Sequence, residues 1–189
     1  MSVFDNGNAV WFLMRGSGVV SLLLLTGVMA LGIGTYGGVR LGSMPRFATL
    51  ALHRSLSLLA VVFIGIHVAT AVIDPYAAVR LVDVFVPFTA ASRPLLVGLG
   101  ALAVDLVVAL VVTGLLRERI GRRAWRAIHW AAYATWPVAF IHGIGIGTDT
   151  SSLWLRALGI GCVALIGGAV AWRLLLPSGT TPSSPATAR

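Results

Sequence analysis

Lysine is absent from this 189-residue chain, cysteine occurs once, and only six residues are acidic. The lone cysteine, Cys162, excludes an intrachain disulfide and any cysteine-built zinc or iron–sulfur site. It lies within an apolar run and reads as a packing residue. No Gly-x-Gly-x-x-Gly unit between a strand and a helix is found, so a dinucleotide-binding fold is not expected. All 14 basic side chains are arginine, and the formal net charge is +8. In a soluble protein that balance would point to nucleic acid. Here 58% of the residues are apolar, and the arginines fall mainly between long apolar runs. There they orient a chain in a bilayer and meet anionic headgroups. The expected partner is the lipid bilayer, with no nucleic acid.

The apolar runs predict an all-α integral membrane bundle of five transmembrane helices, at about residues 18–38, 49–73, 94–116, 127–147 and 153–176. Each is close to the roughly 20 residues that a bilayer core requires. The first run lacks the basic flank and cleavage site of a secretory leader, so it is expected to stay as a helix. Residues 1–15 form an N-terminal segment, 16–176 the membrane domain, and the Pro/Ser/Thr/Ala tail at 177–189 is expected to be disordered. Asp74-Pro75 should end the second span, because proline disfavours helix at the residue before it. The connector at 74–93 is apolar enough in part to hold a sixth, interfacial helix. Residues 117–126 read as a loop with five arginines. The positive-inside rule places it in the cytoplasm, with the N-terminus outside and the C-terminus inside.

All four histidines lie in two of these spans. His53 and His67 are 14 positions apart, and His129 and His142 are 13 apart. At about 1.5 Å per residue each pair spans about 20 Å, much of the hydrocarbon thickness. The two spans run in the same direction, so His53 and His129 fall at the inner level and His67 and His142 at the outer. Such a ladder suits two bis-histidine b-type haems, His53 with His129 and His67 with His142 as iron ligands. On an ideal helix 14 residues leave an offset of about 40°, whereas 13 residues leave about 140°. Pro137, between His129 and His142, is expected to kink or rewind the helix and repair that offset. The alternative is a non-haem transporter of protons or metal, or a structural subunit, using the same imidazoles. Asp105 is its one acidic group at mid-membrane depth.

The two histidine pairs, with His53-Arg54-Ser55-Leu56-Ser57-Leu58 and Trp125-Arg126-Ala127-Ile128-His129-Trp130, resemble the transmembrane domain of the ferric reductase and NADPH oxidase superfamily. The likeness is to its short bacterial members and covers about residues 16–176. It implies two haem b groups and electron flow from the cytoplasmic side of a bacterial plasma membrane to an extracytoplasmic acceptor, a protein or a ferric species. The long members continue into a flavin- and NADPH-binding domain. No such unit follows Pro177, so flavin is expected only on a partner, and the donor is a separate flavoprotein or a quinol.

Further candidates follow from depth. Arg54 and Arg126, beside the inner histidines, and Arg40 and Arg46, in the same layer, are candidates for inner haem propionates or for headgroup contact. Arg80, Arg93 and Arg156 are the outer counterparts. Trp136 lies between the two histidine levels, either as an electron relay or as a packing residue. Asp105 is a candidate proton or polar site, with Tyr133 or Thr135 as its hydrogen-bond partner. The glycines of the first span allow close approach by a helix or a flat macrocycle.

Overall fold

The computed structural model describes residues 6–36, 45–147 and 151–175, and every regular element among them is helical. The order is α1 (Asn6–Tyr36), α2 (Arg46–Ile73), α3 (Leu81–Phe85), α4 (Pro94–Leu115), α5 (Arg117–His129), α6 (Ala132–Ile146) and α7 (Leu153–Leu175). The first helix starts at Asn6, well before the expected residue 18, so most of the N-terminal segment is continuous with it. The tail at 177–189 lies outside the described residues.

Among the described residues four helices are long and apolar enough to cross a membrane: α1, α2, α4 and α7. Their surfaces carry exposed Leu58, Val62, Val108, Ile160 and Leu174. With so little apolar surface tucked inside, the medium covering it is lipid. The chain is a multi-pass membrane protein. The fourth expected span, 127–147, is not one helix. It is divided between the end of α5 and the 15-residue α6, which at 1.5 Å per residue is about 22 Å long, short of a full crossing.

The helices α1 and α2 form one tightly packed pair and α4 and α6 another, joined where α1 meets α6 and α7. Helices α2 and α6, which carry His67 and His142, make little direct backbone contact. Buried hydroxyls are satisfied within their own helices. Ser17, Ser21, Thr26 and Thr70 each donate to the carbonyl four residues back, at 2.6–2.7 Å, as groups in hydrocarbon must.

The ends of the helices follow the sequence in three places. Asp74 is extended (φ −71°, ψ 114°) and ends α2 before Pro75. Pro94 opens α4 at its first turn. The 74–93 connector does contain a helix, but only the five residues of α3. The Arg-rich stretch expected as a loop is helical instead, interrupted at Gly121 (φ 79°, ψ 156°), a backbone geometry open to glycine.

Candidate functional site

The outer pair of histidines is brought face to face. The rings of His67 on α2 and His142 on α6 have centroids 6.2 Å apart, with planes at 75°. Each ring is anchored from behind. Nδ1 of His67 lies 2.8 Å from the Met14 carbonyl of α1, and Nδ1 of His142 lies 2.7 Å from the Leu96 carbonyl of α4. A carbonyl only accepts, so each Nδ1 carries the hydrogen and donates it. That fixes the tautomer and leaves Nε2 of both rings as the free lone pair. Metal–imidazole bonds of about 2.0 Å put the ring centroids of an axial pair roughly 6 Å apart, which is the spacing found here.

The donor set narrows the chemistry. Among the described residues no three of His, Cys, Asp and Glu cluster in a way that could hold a metal ion. Two opposed imidazoles without a third ligand suit an iron macrocycle that brings its own equatorial nitrogens. They do not suit a tetrahedral site built by the protein alone.

The inner pair is less closed. His53 is half-buried on α2. Its Nδ1 is buried with no hydrogen-bond partner among the described residues. His129, the last residue of α5, stacks on Trp125 with centroids 4.9 Å apart and planes at 23°. It is within electrostatic reach of His53 without repeating the arrangement of the outer pair.

The reason lies in the α5–α6 junction. The expected irregularity at Pro137 is displaced to Trp130–Ala131. Pro137 itself sits inside α6; its ring crowds the carbonyl four residues earlier and pushes the distortion toward the N-terminus. At the junction Ala131 bonds back to Ile128, Tyr133 to Trp130 and Ala134 to Ala131 at 2.9–3.1 Å. Such i→i+3 bonding turns the chain by about 120° per residue instead of 100°, so it recovers part of the offset between His129 and His142.

The remaining candidates are scattered. Trp136 lies on α6 between the two histidine levels. Its indole N–H donates to Thr26 Oγ1 of α1 at 2.9 Å, and its ring stacks on Phe140 at 5.0 Å. Arg54 and Arg126 are exposed. Arg40 and the side chain of Arg46 lie outside the described residues. Asp105 is half-buried on α4, but neither expected hydroxyl turns to it. Tyr133 accepts from Arg173 at 2.8 Å and Thr135 donates to the Ala131 carbonyl.

Two of the outer arginines are already engaged. Arg93 donates to the Ile146 carbonyl at 3.3 Å, tying the start of α4 to the end of α6 beside His142. Arg80 grips Asp83 through Nε and Nη2 at 3.0 and 2.8 Å. Asp83 also accepts from the Arg80 backbone N–H and from the Thr89 hydroxyl. The Arg80 guanidinium first, then the other two donors, hold the Asp83 carboxyl well below the usual carboxylate range. Sequence reading missed this cluster and also the two carbonyl anchors.

Residues 17–140 match the family described as ferric reductase like transmembrane component, which is more than half of the chain. The match takes in His53, His67 and His129 and stops two residues short of His142. No curated protein and no solved structure matches the chain.

Proposed function

This chain belongs to the family of ferric reductase-like transmembrane components, and from that premise we propose that it is a dihaem b-type conduit carrying electrons across a bacterial plasma membrane. The observation that carries this reading is the outer pair: two imidazoles 6.2 Å apart, each with Nδ1 donated to a backbone carbonyl. His67 and His142 hold the outer haem and His53 and His129 the inner one. Haem b, when bound, supplies a one-electron iron couple.

The chain's own residues do the rest. The Met14 and Leu96 carbonyls keep Nε2 of each outer ring aimed inward. The apolar walls of α1, α2, α4 and α6 exclude water from the slot. Trp136, held by Thr26 midway between the two levels, shortens the gap that an electron must cross. Arg54, Arg126, Arg40 and Arg46 neutralise the inner propionates, and their layer faces the cytoplasm. The α5–α6 unit completes the fourth crossing, and α3 lies in the outer interface. The donor is a separate flavoprotein or a membrane quinol, and the acceptor is an extracytoplasmic protein or ferric species.

Purified protein from haem-replete cells is expected to show a Soret band and a reduced α-band of bis-histidine haem b. Pyridine haemochrome analysis should give about two haems per chain. A colourless preparation, with no spectral change on dithionite, overturns the reading.

A further inference from the structure

Both anchoring carbonyls share a sequence feature. Met14 is followed four residues later by Gly18, and Leu96 by Gly100. In an α-helix the carbonyl of residue i accepts the N–H of residue i+4, and the side chain at i+4 flanks that carbonyl on the helix surface. Glycine at i+4 leaves the second lone pair of the oxygen open to a group arriving from a neighbouring helix. The clearance is used. A Cβ added at Gly18 would lie 2.9 Å from Nδ1 and Cε1 of His67. One added at Gly100 would lie 2.6 Å from Cε1 and 2.7 Å from Nδ1 of His142. Both distances are shorter than real carbon contacts permit.

The same pair of positions recurs 14 residues further along each helix, as Val28–Gly32 in α1 and Leu110–Gly114 in α4. That interval equals the spacing of His53 and His67. The first recurrence lies beside His53, whose Cε1 is 3.6 Å from a Cβ built on Gly32. The second has no such neighbour: a Cβ at Gly114 meets nothing within 4 Å, the Leu110 carbonyl accepts from the Thr113 hydroxyl at 3.3 Å, and His129 stacks on Trp125.

We propose that three carbonyl–glycine pairs are the orienting positions for three of the four histidines. Met14–Gly18 serves His67, Val28–Gly32 serves His53 and Leu96–Gly100 serves His142. Both hairpins thus use one device: α1 aims the two histidines of α2, and α4 aims the histidine of α6. The assignment rests on the proposal that these histidines bind haem iron. An Nδ1–H donated to a carbonyl makes the imidazole a stronger donor through Nε2. That favours ferric over ferrous iron, so breaking it raises the haem's midpoint potential.

The test is a redox titration of the full-length, haem-loaded protein. Gly18→Ala and Gly100→Ala are expected to raise the potential of the outer haem, or to lose that haem, with the inner one unmoved. Gly16→Ala, whose Cβ has nothing within 4 Å and which has no place in the set, serves as the control. Should crowding unfold the first two variants, Gly32 decides the matter. Gly32→Ala leaves an ordinary 3.6 Å contact and is expected to change nothing, whereas the bulkier Gly32→Val shifts the inner haem alone. Two haems with unmoved potentials in Gly18→Ala and Gly100→Ala overturn the glycine assignment, as does a common shift shared by the control. A haem-free wild-type protein instead sinks the functional reading and is told apart at the first spectrum.

Discussion

An imidazole held at Nδ1 by a carbonyl keeps one direction for Nε2, and His67 and His142 are held in this way from opposite sides. If they serve one iron, removing either should be as damaging as removing both. His67→Ala, His142→Ala and the double variant are each expected to retain about one haem of two by pyridine haemochrome analysis. A double variant with no haem, or a single variant that keeps both, argues against the pairing. Trp136 gives a second residue-level expectation. Replacing it with leucine removes the ring and its bond to Thr26 but no proposed ligand. Haem content should hold, while stopped-flow transfer between the two haems slows. Equal rates in Trp136→Leu and wild type would reduce Trp136 to a packing residue. The imidazoles were legible because histidine is rare in apolar helices and chemically specific. Their carbonyl anchors were not, because every residue has a carbonyl and only the glycine four positions on marks the ones in use.

Single elements depart from the sequence reading where local backbone chemistry overrides hydropathy. The Arg-rich segment looks like a loop because six of the ten residues at 117–126 are charged, yet arginine is a good helix former and Ile120, Ala124, Ala127 and Ile128 recur at helical spacing, and α5 results. Its break at Gly121 has φ 79° and ψ 156°, a region in which other residues are strained by about 1–3 kcal/mol. Gly121→Ala is therefore expected to destabilise the junction between α4 and His129. A lower midpoint for denaturant-induced loss of haem, with the outer haem lost last, would register it. In the outer connector, the fold of α3 hangs on Asp83, buried beneath the exposed Arg80. Its carboxyl is depressed in the folded state, so the stabilisation from its charged form is complete above the ordinary aspartate range of about 4. It is lost only as pH falls from there through the lowered value. Hydrogen exchange over residues 80–89 should be level from about pH 5 to 8 after correction for intrinsic rates, and rise below about pH 4. Asp83→Asn should show the fast exchange at every pH. Matching profiles for the variant and wild type would mean that Asp83 does not hold this segment.

At the scale of the whole molecule, membrane class and four of the five expected spans were legible, because each bilayer-length apolar run must bond its backbone internally. The junction at Trp130–Ala131 was not, since a tightened turn leaves no hydropathy signal and Pro137 drew the expectation six residues too far along. Orientation is a property of the entire charge distribution. Five arginines lie in 117–126, against Arg80 and Arg93 in the connector that precedes α4, so the α5 side should face the cytoplasm and α3 the outside. The chain provides a convenient background for testing this, because its only cysteine, Cys162, is 3% exposed. A membrane-impermeant maleimide on intact cells is expected to label Ser92→Cys, on the exposed connector before α4, and to spare Arg119→Cys until the cells are opened. The opposite pattern would invert the chain and, with it, the proposed direction of electron flow. His67 and His142, near the connector end of their helices, would then lie on the donor side, and the exposed Arg54 and Arg126 would meet the extracytoplasmic acceptor.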